Sequence, residues 1–393
     1  MKEVFIVAAK RTPMGSFGGQ LAAFSAVDLG VVATKSAIEQ SSINPEQVDE
    51  IFYGNVCSAN LGQAPARQVA LKSGVTNKVP ATTINKVCAS GMKATMIGAQ
   101  SIQAGTNELV ITGGMESMSN IPFYMPKARW GAKYGHAELL DGLQKDGLTD
   151  AYDHQAMGFC GDATATKYEI SREEQDAYAI RSYERAAAAA KSGKFENEIA
   201  PVSIPQKGKD PILMSEDEEF KNVRFDKIPD LRPVFSKDGT VTAANASTIN
   251  DGAATLILAS AEYVKEHQLK PLAKIVSYAD AAHEPQWFTT APVEAAQKAL
   301  KNAGLSIDDI DFFEVNEAFA VVAQVFAKSL NVDAAKMNIN GGAVALGHPL
   351  GCSGARILVT LINVLKDNKG NYGLAAICNG GGGASAMIIQ NVD

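Results

Sequence analysis

Short runs of Val, Ile and Ala alternate along most of the chain with longer segments in which apolar residues return every three or four positions. The short runs, such as 109–112 and 375–377, have the length and composition of buried strands. The longer segments have the period of helices that bury one face. Because strands in parallel sheets are covered on both faces and form continuous apolar runs, this alternation predicts an α/β fold with parallel strands between layers of helices.

The pattern of the first part of the chain returns near its end. In order along the chain, segments 26–30, 48–53, 90–94 and 109–114 match segments 291–295, 310–315, 353–357 and 375–380. An internal repeat with a nearly constant offset indicates two similar structural units. The sequence therefore predicts two duplicated α/β halves.

The segment between the two repeats is more polar and contains many Pro, Lys, Asp and Glu residues. A helix is predicted there at 171–190, because Ser171 followed by Glu174 forms a capping box. We interpret this segment as an insertion. The predicted units are 1–118 with about 249–271 as the first half, 119–248 as the insertion and 272–393 as the second half.

The chain has 393 residues, with 36 Lys and Arg against 43 Asp and Glu, which gives a net charge of −7. Binding to nucleic acid or to anionic membranes favours a basic excess, so neither partner is expected. No apolar run approaches the ~18 residues of a membrane span, and the first residues do not form a secretory leader pattern. A cytoplasmic protein is expected.

Five cysteines, at 57, 88, 160, 352 and 378, form no Cys-x-x-Cys pair. An odd number of widely spread cysteines does not indicate a disulfide framework. The five histidines also lack the spacing typical of a zinc site. Any cysteine that takes part in chemistry is therefore expected to act as a free thiol, and metal-dependent hydrolysis is disfavoured.

Cys88 follows a strand-like segment at 82–87 and precedes a helical pattern that starts at once. Unpaired amides and the dipole at a helix N-terminus stabilise a thiolate by roughly 0.3–1 kcal/mol. Cys88 is therefore a candidate nucleophile. The local features leave one alternative open, a buried and inert cysteine that packs as a small apolar side chain.

Two other segments place chemical groups where glycines let a ligand approach the backbone. His348 lies in the glycine-rich stretch 340–351, and Pro349 disfavours helix at that point, so a loop between a strand and a helix is predicted. Cys378 follows the strand-like run 375–377, and we predict that it lies on a glycine-rich turn, 378–383, whose amides can form an oxyanion hole. A lone histidine is more often structural, which is the alternative for His348.

A polar pair, Asn316 and Glu317, directly follows the apolar run 312–315. Taken by itself, the pair is better explained by Asn316 capping the next helix than by catalysis.

Together, four ordered motifs resemble those of the thiolase family over essentially the whole chain. They are a nucleophile motif at 85–93, an asparagine motif at 316–319, a histidine motif at 342–351 and a second-cysteine motif at 378–382. The resemblance implies a layered αβαβα core made of two duplicated halves, with an inserted loop domain that binds coenzyme A. It also implies that the four motifs meet in one pocket, which their spacing alone does not predict.

The resemblance implies the reversible Claisen condensation of two acetyl-CoA to acetoacetyl-CoA and CoA. Cys88 is the implied nucleophile that carries the acetyl group, and His348 is the base that accepts its proton. Cys378 is implied to move a proton at the α-carbon of the second acetyl-CoA. His348 and a water on Asn316 are implied to hold the thioester oxygen, and the amides of Cys88 and Gly380 to form a second oxyanion hole.

Family position further implies the residues that contact the substrates. The coenzyme A contacts fall on Met157, Phe235, Ala243, Ser247, Ala318 and Phe319, and Phe288 shapes the acyl pocket. No obligatory cofactor is implied, but one subgroup of the family binds potassium through a tyrosine and carbonyl oxygens. The matching positions here are Tyr183, Ala243, Ala244, Ala246 and Val344. A homotetramer, built as a dimer of dimers, is implied as well.

Two other functions remain open at this point. A broad-chain degradative 3-ketoacyl-CoA thiolase shares the catalytic motifs and differs in the lining of the acyl pocket. A non-catalytic acyl-CoA-binding protein on the same fold is more remote, because Cys88, Asn316, His348 and Cys378 are all present.

Overall fold

The computed structural model describes residues 2–392, in which strands and helices alternate. The strands are β1 (Val4–Arg11), β2 (Gly15–Ser16), β3 (Glu50–Gly54), β4 (Ala81–Ile84), β5 (Leu109–Ser117), β6 (Phe123–Tyr124), β7 (Leu140–Asp141), β8 (Val202–Gln206), β9 (Lys209–Met214), β10 (Asn250–Ser260), β11 (Ala273–Ala282), β12 (Phe312–Val315), β13 (Tyr372–Asn379) and β14 (Gly383–Asn391). The helices are α1 (Ala26–Ser41), α2 (Pro65–Lys72), α3 (Ser90–Gln103), α4 (Gly158–Tyr168), α5 (Arg172–Lys191), α6 (Ala261–Glu266), α7 (Ala291–Ala303), α8 (Ala320–Leu330), α9 (Ala343–Leu346) and α10 (Leu350–Asn368).

The main sheet has ten strands in the order β12–β13–β14–β11–β1–β10–β5–β3–β4, with the short β2 paired to β10. Strand β3 is parallel to β4 and β5, and β12 is parallel to β13. The remaining pairs of this sheet are antiparallel, so the prediction of parallel strands holds only for its outer parts. The reason is visible at β13 and β14, because two strands joined by the short turn 380–382 can only run antiparallel.

Three apolar cores separate the layers of the molecule. The central core lies between the two halves and includes side chains of α3 and α10, such as Met92, Met96 and Ile357. A second core lies between the strands of the first half and helices α1 and α2. A third lies between the strands of the second half and helices α7 and α8. This succession of helices, strands, helices, strands and helices confirms the predicted αβαβα core.

The duplication predicted from the repeats is present as equivalent elements, since α1, β3, α3 and β5 correspond to α7, β12, α10 and β13. The equivalent helices α3 and α10 pack against each other in the central layer. A Cβ atom on Gly91 would lie 2.8 Å from the backbone nitrogen of Ala355, so this close approach needs a glycine. The contact involves the first turns of both helices, and it brings together the segments that precede them, which carry Cys88 and His348.

Residues 119–248 contain the small hairpins β6–β7 and β8–β9 and the helices α4 and α5. The predicted capping box is present, because the Ser171 side chain accepts from the Glu174 amide and the Glu174 carboxylate accepts from the Ser171 amide. No helix within residues 2–392 is long and apolar enough to span a membrane.

Candidate active site

Cys88 is buried in the turn between β4 and α3. Two expectations are corrected here: β4 ends at Ile84, and α3 begins at Ser90, so Cys88 stands before the first turn of the helix. Burial raises the pKa of the Cys88 thiol to about 12, although the amides of Gly380 and Cys88 itself donate to the sulfur and act in the opposite direction. The resting group is a neutral thiol, because burial outweighs the helix N-terminus.

His348 lies in a loop between α9 and α10, so a short helix precedes it rather than the predicted strand. Burial, aided by the positive charge of Arg356, lowers the pKa of the His348 imidazole to about 3. Its Nε2 atom is buried and makes no hydrogen bond to residues 2–392. A neutral imidazole with a free ring nitrogen can accept a proton from a thiol.

The hydrogen bond of the other ring nitrogen of His348, Nδ1, shows which tautomer is present. Nδ1 lies 2.6 Å from the Ser353 hydroxyl oxygen, which is also 2.9 Å from the Pro349 carbonyl oxygen. The carbonyl can only accept, so the single hydroxyl hydrogen of Ser353 points to Pro349, and the hydroxyl oxygen accepts the hydrogen of Nδ1. This assignment leaves Nε2 unprotonated, as proton acceptance requires.

The backbone of the His348 loop is fixed by Asn250, the first residue of β10. Asn250 Oδ1 accepts from the His348 amide at 2.9 Å, while Asn250 Nδ2 donates to the Gly15 carbonyl and to Glu219. Gly347 has a φ of +108°, and a Cβ there would lie 2.5 Å from the Asn250 side chain. Only glycine fits this position.

Asn316 directly follows β12, as predicted, and is fully buried. Its Nδ2 lies 3.5 Å from His348 Nδ1, and its Oδ1 makes no hydrogen bond in the described part of the chain. The capping alternative is wrong, because helix α8 begins only at Ala320, after Phe319.

The carboxylate of Glu317 connects the segment that follows β12, which carries Asn316, to helix α5 of the insertion. It accepts hydrogen bonds from the Tyr178 and Ser182 hydroxyls of α5 and from Asn338 Nδ2 and the Val344 amide. Four donors around one buried carboxylate hold three separate segments in register.

Cys378 is fully buried near the end of β13, whereas the sequence predicted it on the following turn. Burial raises the pKa of the Cys378 thiol, and a charge on the neighbouring Cys88 sulfur raises it further. Both cysteines are therefore neutral at rest. Gly380 lies on the turn itself, where its amide reaches the Cys88 sulfur.

Some of these residues, Cys88, His348 and Gly380, line a small inner cavity that opens beside a larger groove. The inner cavity has a volume of about 60 Å³ and is lined by Val87, Cys88, Gly147, Leu148, Met157, Ser247, Phe288, Ala318, Phe319, His348, Leu350 and Gly380. The outer groove has a volume of about 670 Å³ and a mostly apolar lining that includes Met157, Phe235, Ala243, Ser247, Phe319 and His348. Such a groove suits an elongated ligand whose reactive end enters the inner cavity.

Glu116, a residue for which no role was predicted, supports the segments that carry this site. Its fully buried carboxylate accepts from the amides of Val56, Cys57 and Gly351 and from Asn55 Nδ2. Gly351 lies in the first turn of α10, so the carboxylate also faces the positive end of that helix. Burial raises the pKa of Glu116 to about 7 despite these donors.

Comparison with known proteins identifies the family. The family described as "Thiolase, N-terminal domain" matches residues 4–262, and "Thiolase, C-terminal domain" matches residues 269–391. This chain belongs to the thiolase family. A relative from Schizosaccharomyces pombe named "Acetyl-CoA acetyltransferase" is 55% identical over 391 residues, which cover 99% of each chain. Another, from Gibberella zeae and named "Acetyl-CoA acetyltransferase ERG10, cytosolic", is 52% identical and covers 99% of this chain and 98% of its own.

A solved thiolase structure has the same fold. The Acat5 thiolase from Ascaris suum, crystallised in complex with coenzyme A, has a TM-score of 0.95 and 49% identity, with all of both chains covered. The fold and family inferred from the four motifs are therefore confirmed.

The structure of this thiolase gathers most of the predicted site residues. Cys88, His348, Gly380, Phe288 and Ala318 line the inner cavity, Phe235 and Ala243 line the outer groove, and Met157, Ser247 and Phe319 line both. Asn316 and Cys378 are fully buried and line neither, but Asn316 lies next to His348, and a charge on Cys88 would raise the pKa of Cys378. Of the predicted potassium ligands, Ala246 and Ala243 lie at the groove, whereas Tyr183 and Val344 lie in a separate apolar cluster.

Three residues that support the site were not predicted to have a role in it. They are Ser353, Glu116 and Asn250. Each acts through a contact to a residue far along the chain or across a helix turn, so local sequence carries no signal for it.

Proposed function

We propose that this thiolase is an acetyl-CoA C-acetyltransferase, which converts two acetyl-CoA into acetoacetyl-CoA and CoA and catalyses the reverse thiolysis. The inner cavity is the observation that supports this choice. Its volume of about 60 Å³ holds roughly four water-sized groups at ~15 Å³ each. A two-carbon acyl group fits this space, and the Phe288 ring, which forms part of the wall, takes up room that a longer acyl chain would need.

Acyl transfer begins with the neutral pair formed by Cys88 and His348. In thiolysis, His348 Nε2 takes the thiol proton of Cys88 as the sulfur attacks the C3 carbonyl carbon of acetoacetyl-CoA. The amides of Cys88 and Gly380, which already reach the sulfur, are placed to stabilise the oxyanion that forms on that carbonyl. Proton transfer and attack must occur together, because burial disfavours both an isolated thiolate and an isolated imidazolium.

Cleavage of the carbon–carbon bond then requires an acid. The C2–C3 bond breaks with its electron pair on C2, and the Cys378 thiol protonates that carbon to release acetyl-CoA. Asn316 and His348 lie together where they can support the thioester oxygen of this enolate. His348 returns its proton to Cys378. A CoA thiol, deprotonated by His348, then attacks the acetyl carbonyl carbon; the bond to the Cys88 sulfur breaks, and His348 gives its proton to the departing Cys88 thiolate. Condensation follows the same steps in reverse.

The outer groove is proposed to hold the pantetheine arm of the CoA thioesters. Its apolar lining from Phe235, Met157, Ala243 and Phe319 covers the arm, and Ser247 offers one hydroxyl group. The Ascaris relative was crystallised with coenzyme A, which supports this assignment.

We also propose a potassium ion near Tyr183. This tyrosine is buried. The family resemblance adds the carbonyls of Ala243, Ala244, Ala246 and Val344 as further donors, and a monovalent cation suits oxygen donors of this kind. KCl, compared with NaCl at equal ionic strength, is expected to raise the midpoint of thermal unfolding in the wild type and not in Tyr183→Phe.

A homotetramer in the cytoplasm is proposed as the working form. The segment around β6 and β7 exposes several large apolar side chains, including Phe123, Trp130 and Leu139, and such patches commonly pack against another chain. The cytosolic name of the Gibberella zeae relative supports the location. Light scattering that gave only the 41.4 kDa mass of one chain would contradict the tetramer.

The activity is tested by thiolysis of acetoacetyl-CoA with free CoA, followed at the enolate absorbance. Wild type is expected to cleave this substrate, and Cys88→Ala and Cys378→Ala are expected to be inactive. Cys352→Ala is the matched control, since Cys352 is an equally buried cysteine that does not line the cavity.

A chain-length series separates the two enzymatic functions. With 3-ketohexanoyl- and 3-ketodecanoyl-CoA the wild type is expected to turn over poorly, because the cavity admits a short acyl group. Comparable turnover of the longer substrates would instead assign the chain to the broad-chain degradative class, and no turnover of any of them would favour a binding protein.

A further inference from the structure

The turn that carries the nucleophile has an unusual backbone. Val87, directly before Cys88, has a φ of +47°. A β-branched residue in this left-handed region is strained, since its side chain crowds the backbone. Local hydrogen bonds contribute to holding it there: Asn85 Oδ1 accepts from the Val87 amide at 3.0 Å, and the Ser90 hydroxyl donates to the Val87 carbonyl at 2.6 Å.

A second set of contacts anchors the same turn to the other half of the molecule. Lys86 Nζ donates to Asp280 Oδ1 at 2.6 Å, to the Ser385 hydroxyl at 2.8 Å and to the Ala384 carbonyl at 3.0 Å. All three hydrogens of this ammonium group are therefore used. Asp280 lies on β11, and Ser385 lies on β14 just after the turn that carries Gly380.

Asp280 also binds the segment that follows the nucleophile, the first turn of α3. Its Oδ2 atom pairs with Lys93 Nζ at 2.6 Å, and Lys93 belongs to the first turn of α3. Ser385 Oγ donates to Asp280 Oδ1 at 2.6 Å. Burial would raise the pKa of Asp280, but hydrogen bonds from Lys86, Lys93 and Ser385 outweigh it and lower the pKa to about 2. One carboxylate is thus bonded to residues on both sides of Cys88.

We propose that Asp280, with Lys86 and Ser385, forms a positioning clamp that holds the strained turn at Val87 and thereby keeps the Cys88 sulfur beside the Gly380 amide. None of these three residues lines the inner cavity or the outer groove. The clamp deepens the proposed acetyltransferase function, because it fixes the nucleophile relative to the oxyanion donor across the boundary of the two halves. A strained conformation persists at a site only where its surroundings enforce it, and the clamp adds to the local hydrogen bonds of Asn85 and Ser90 in enforcing it.

The test is a double-mutant cycle of Asp280→Asn and Val87→Gly. Glycine adopts the left-handed conformation without strain, so the clamp should matter less once Val87 is replaced. Asp280→Asn is expected to lower kcat at least tenfold with KM for acetoacetyl-CoA changed less than threefold. In the Val87→Gly background, Asp280→Asn is expected to lower kcat less than threefold. A loss of equal size in both backgrounds would overturn the clamp, because a merely structural ion pair does not depend on residue 87.

A second readout separates failure of the clamp from failure of the proposed function. The rate at which iodoacetamide alkylates Cys88, measured by peptide mass spectrometry, reports the position and activation of the thiol without any CoA substrate. It is expected to show the same coupling as kcat. Equal effects of Asp280→Asn on alkylation in both backgrounds would overturn the clamp even if thiolysis were absent.

Two further variants guard against a general loss of folding. Ser385→Ala removes one hydrogen bond from each of Lys86 and Asp280 without burying a bare charge, and it is expected to lower kcat about threefold to tenfold. Asp367→Asn breaks the Lys194–Asp367 ion pair, which joins two segments away from the cavity, and it is expected to leave kcat and the alkylation rate unchanged. Unchanged kcat in Ser385→Ala would contradict the proposal.

Discussion

The tautomer of His348 gives the most direct prediction, because it depends on a single hydroxyl group. Replacing Ser353 with alanine removes the oxygen that lies 2.6 Å from Nδ1. The neutral imidazole can then carry its hydrogen in either of two positions. Either the hydrogen stays on Nδ1 and is buried without a partner, or it moves to Nε2, which can then no longer accept the thiol proton of Cys88.

The size of the effect follows from the cost of the first choice. A buried N–H group that loses its partner costs about 1–3 kcal/mol, and each 1.36 kcal/mol corresponds to a factor of ten. Ser353→Ala is therefore expected to lower kcat by roughly 5- to 150-fold. The KM for acetoacetyl-CoA is expected to change little, because Ser353 does not line the outer groove.

Initial rates of acetoacetyl-CoA thiolysis measure both constants. Ser353→Thr keeps the hydroxyl and is expected to retain more activity than Ser353→Ala, although its extra methyl group costs some packing. Ser41→Ala is the matched control, since the Ser41 hydroxyl donates to a carbonyl one turn back in α1 in the same way but touches no histidine. A kcat for Ser353→Ala within twofold of wild type would refute the tautomer argument.

Three other predictions follow from buried groups and from the cavity wall. Phe288→Ala enlarges the inner cavity and is expected to raise turnover of 3-ketohexanoyl-CoA relative to acetoacetyl-CoA by about 10- to 200-fold, the range for added methylene groups in a pocket; an unchanged ratio in the kinetic series would show that another residue limits chain length. The pKa of Glu116 is raised to about 7 in the folded chain against 4.5 in the unfolded one, so its contribution to stability is present below pH 4.5 and is lost as the pH rises through 7. The free energy of unfolding, measured with urea between pH 5 and 8, is therefore expected to change with pH more steeply in the wild type than in Glu116→Gln. Parallel pH dependences in the two proteins would contradict the raised pKa. Arg11→Met leaves the buried carboxylates of Glu198 and Asp217 without their cation and is expected to destabilise the fold by about 3–5 kcal/mol; a loss below 1 kcal/mol in the same urea experiment would show that those carboxylates become neutral at little cost.

Several features of the fold could be predicted from the sequence because they depend on local patterns. The repeats at 26–30 and 291–295 became the equivalent helices α1 and α7, and the capping box at Ser171 marked the start of α5. Such signals are local, since a helix period and a cap involve residues within a few positions of each other. The strand directions in the middle of the sheet were not predictable in this way, because pairing across β1 and β10 joins segments about 250 residues apart.

The chemical groups of the site could also be predicted from the sequence, whereas their protonation states could not. Cys88, Asn316, His348 and Cys378 could be identified from motifs that resemble the thiolases. A cysteine before a helix favours a thiolate when it is exposed, but burial by both halves of the molecule raises the Cys88 pKa to about 12 and makes the resting thiol neutral. Burial is a property of the packed molecule, and no short segment contains it.

The sequence by itself determined which residue types are present, the duplicated order of the elements and the family to which they belong. Tertiary structure alone decided that α3 and α10 meet at their first turns, that Ser353 sets the tautomer of His348, and that Asp280 reaches Lys86 across the sheet. The physical reason is the range of the interactions. Hydrogen-bonded turns and helical periods act over a few residues, but desolvation, charge pairing and close packing depend on which distant segments the fold places side by side.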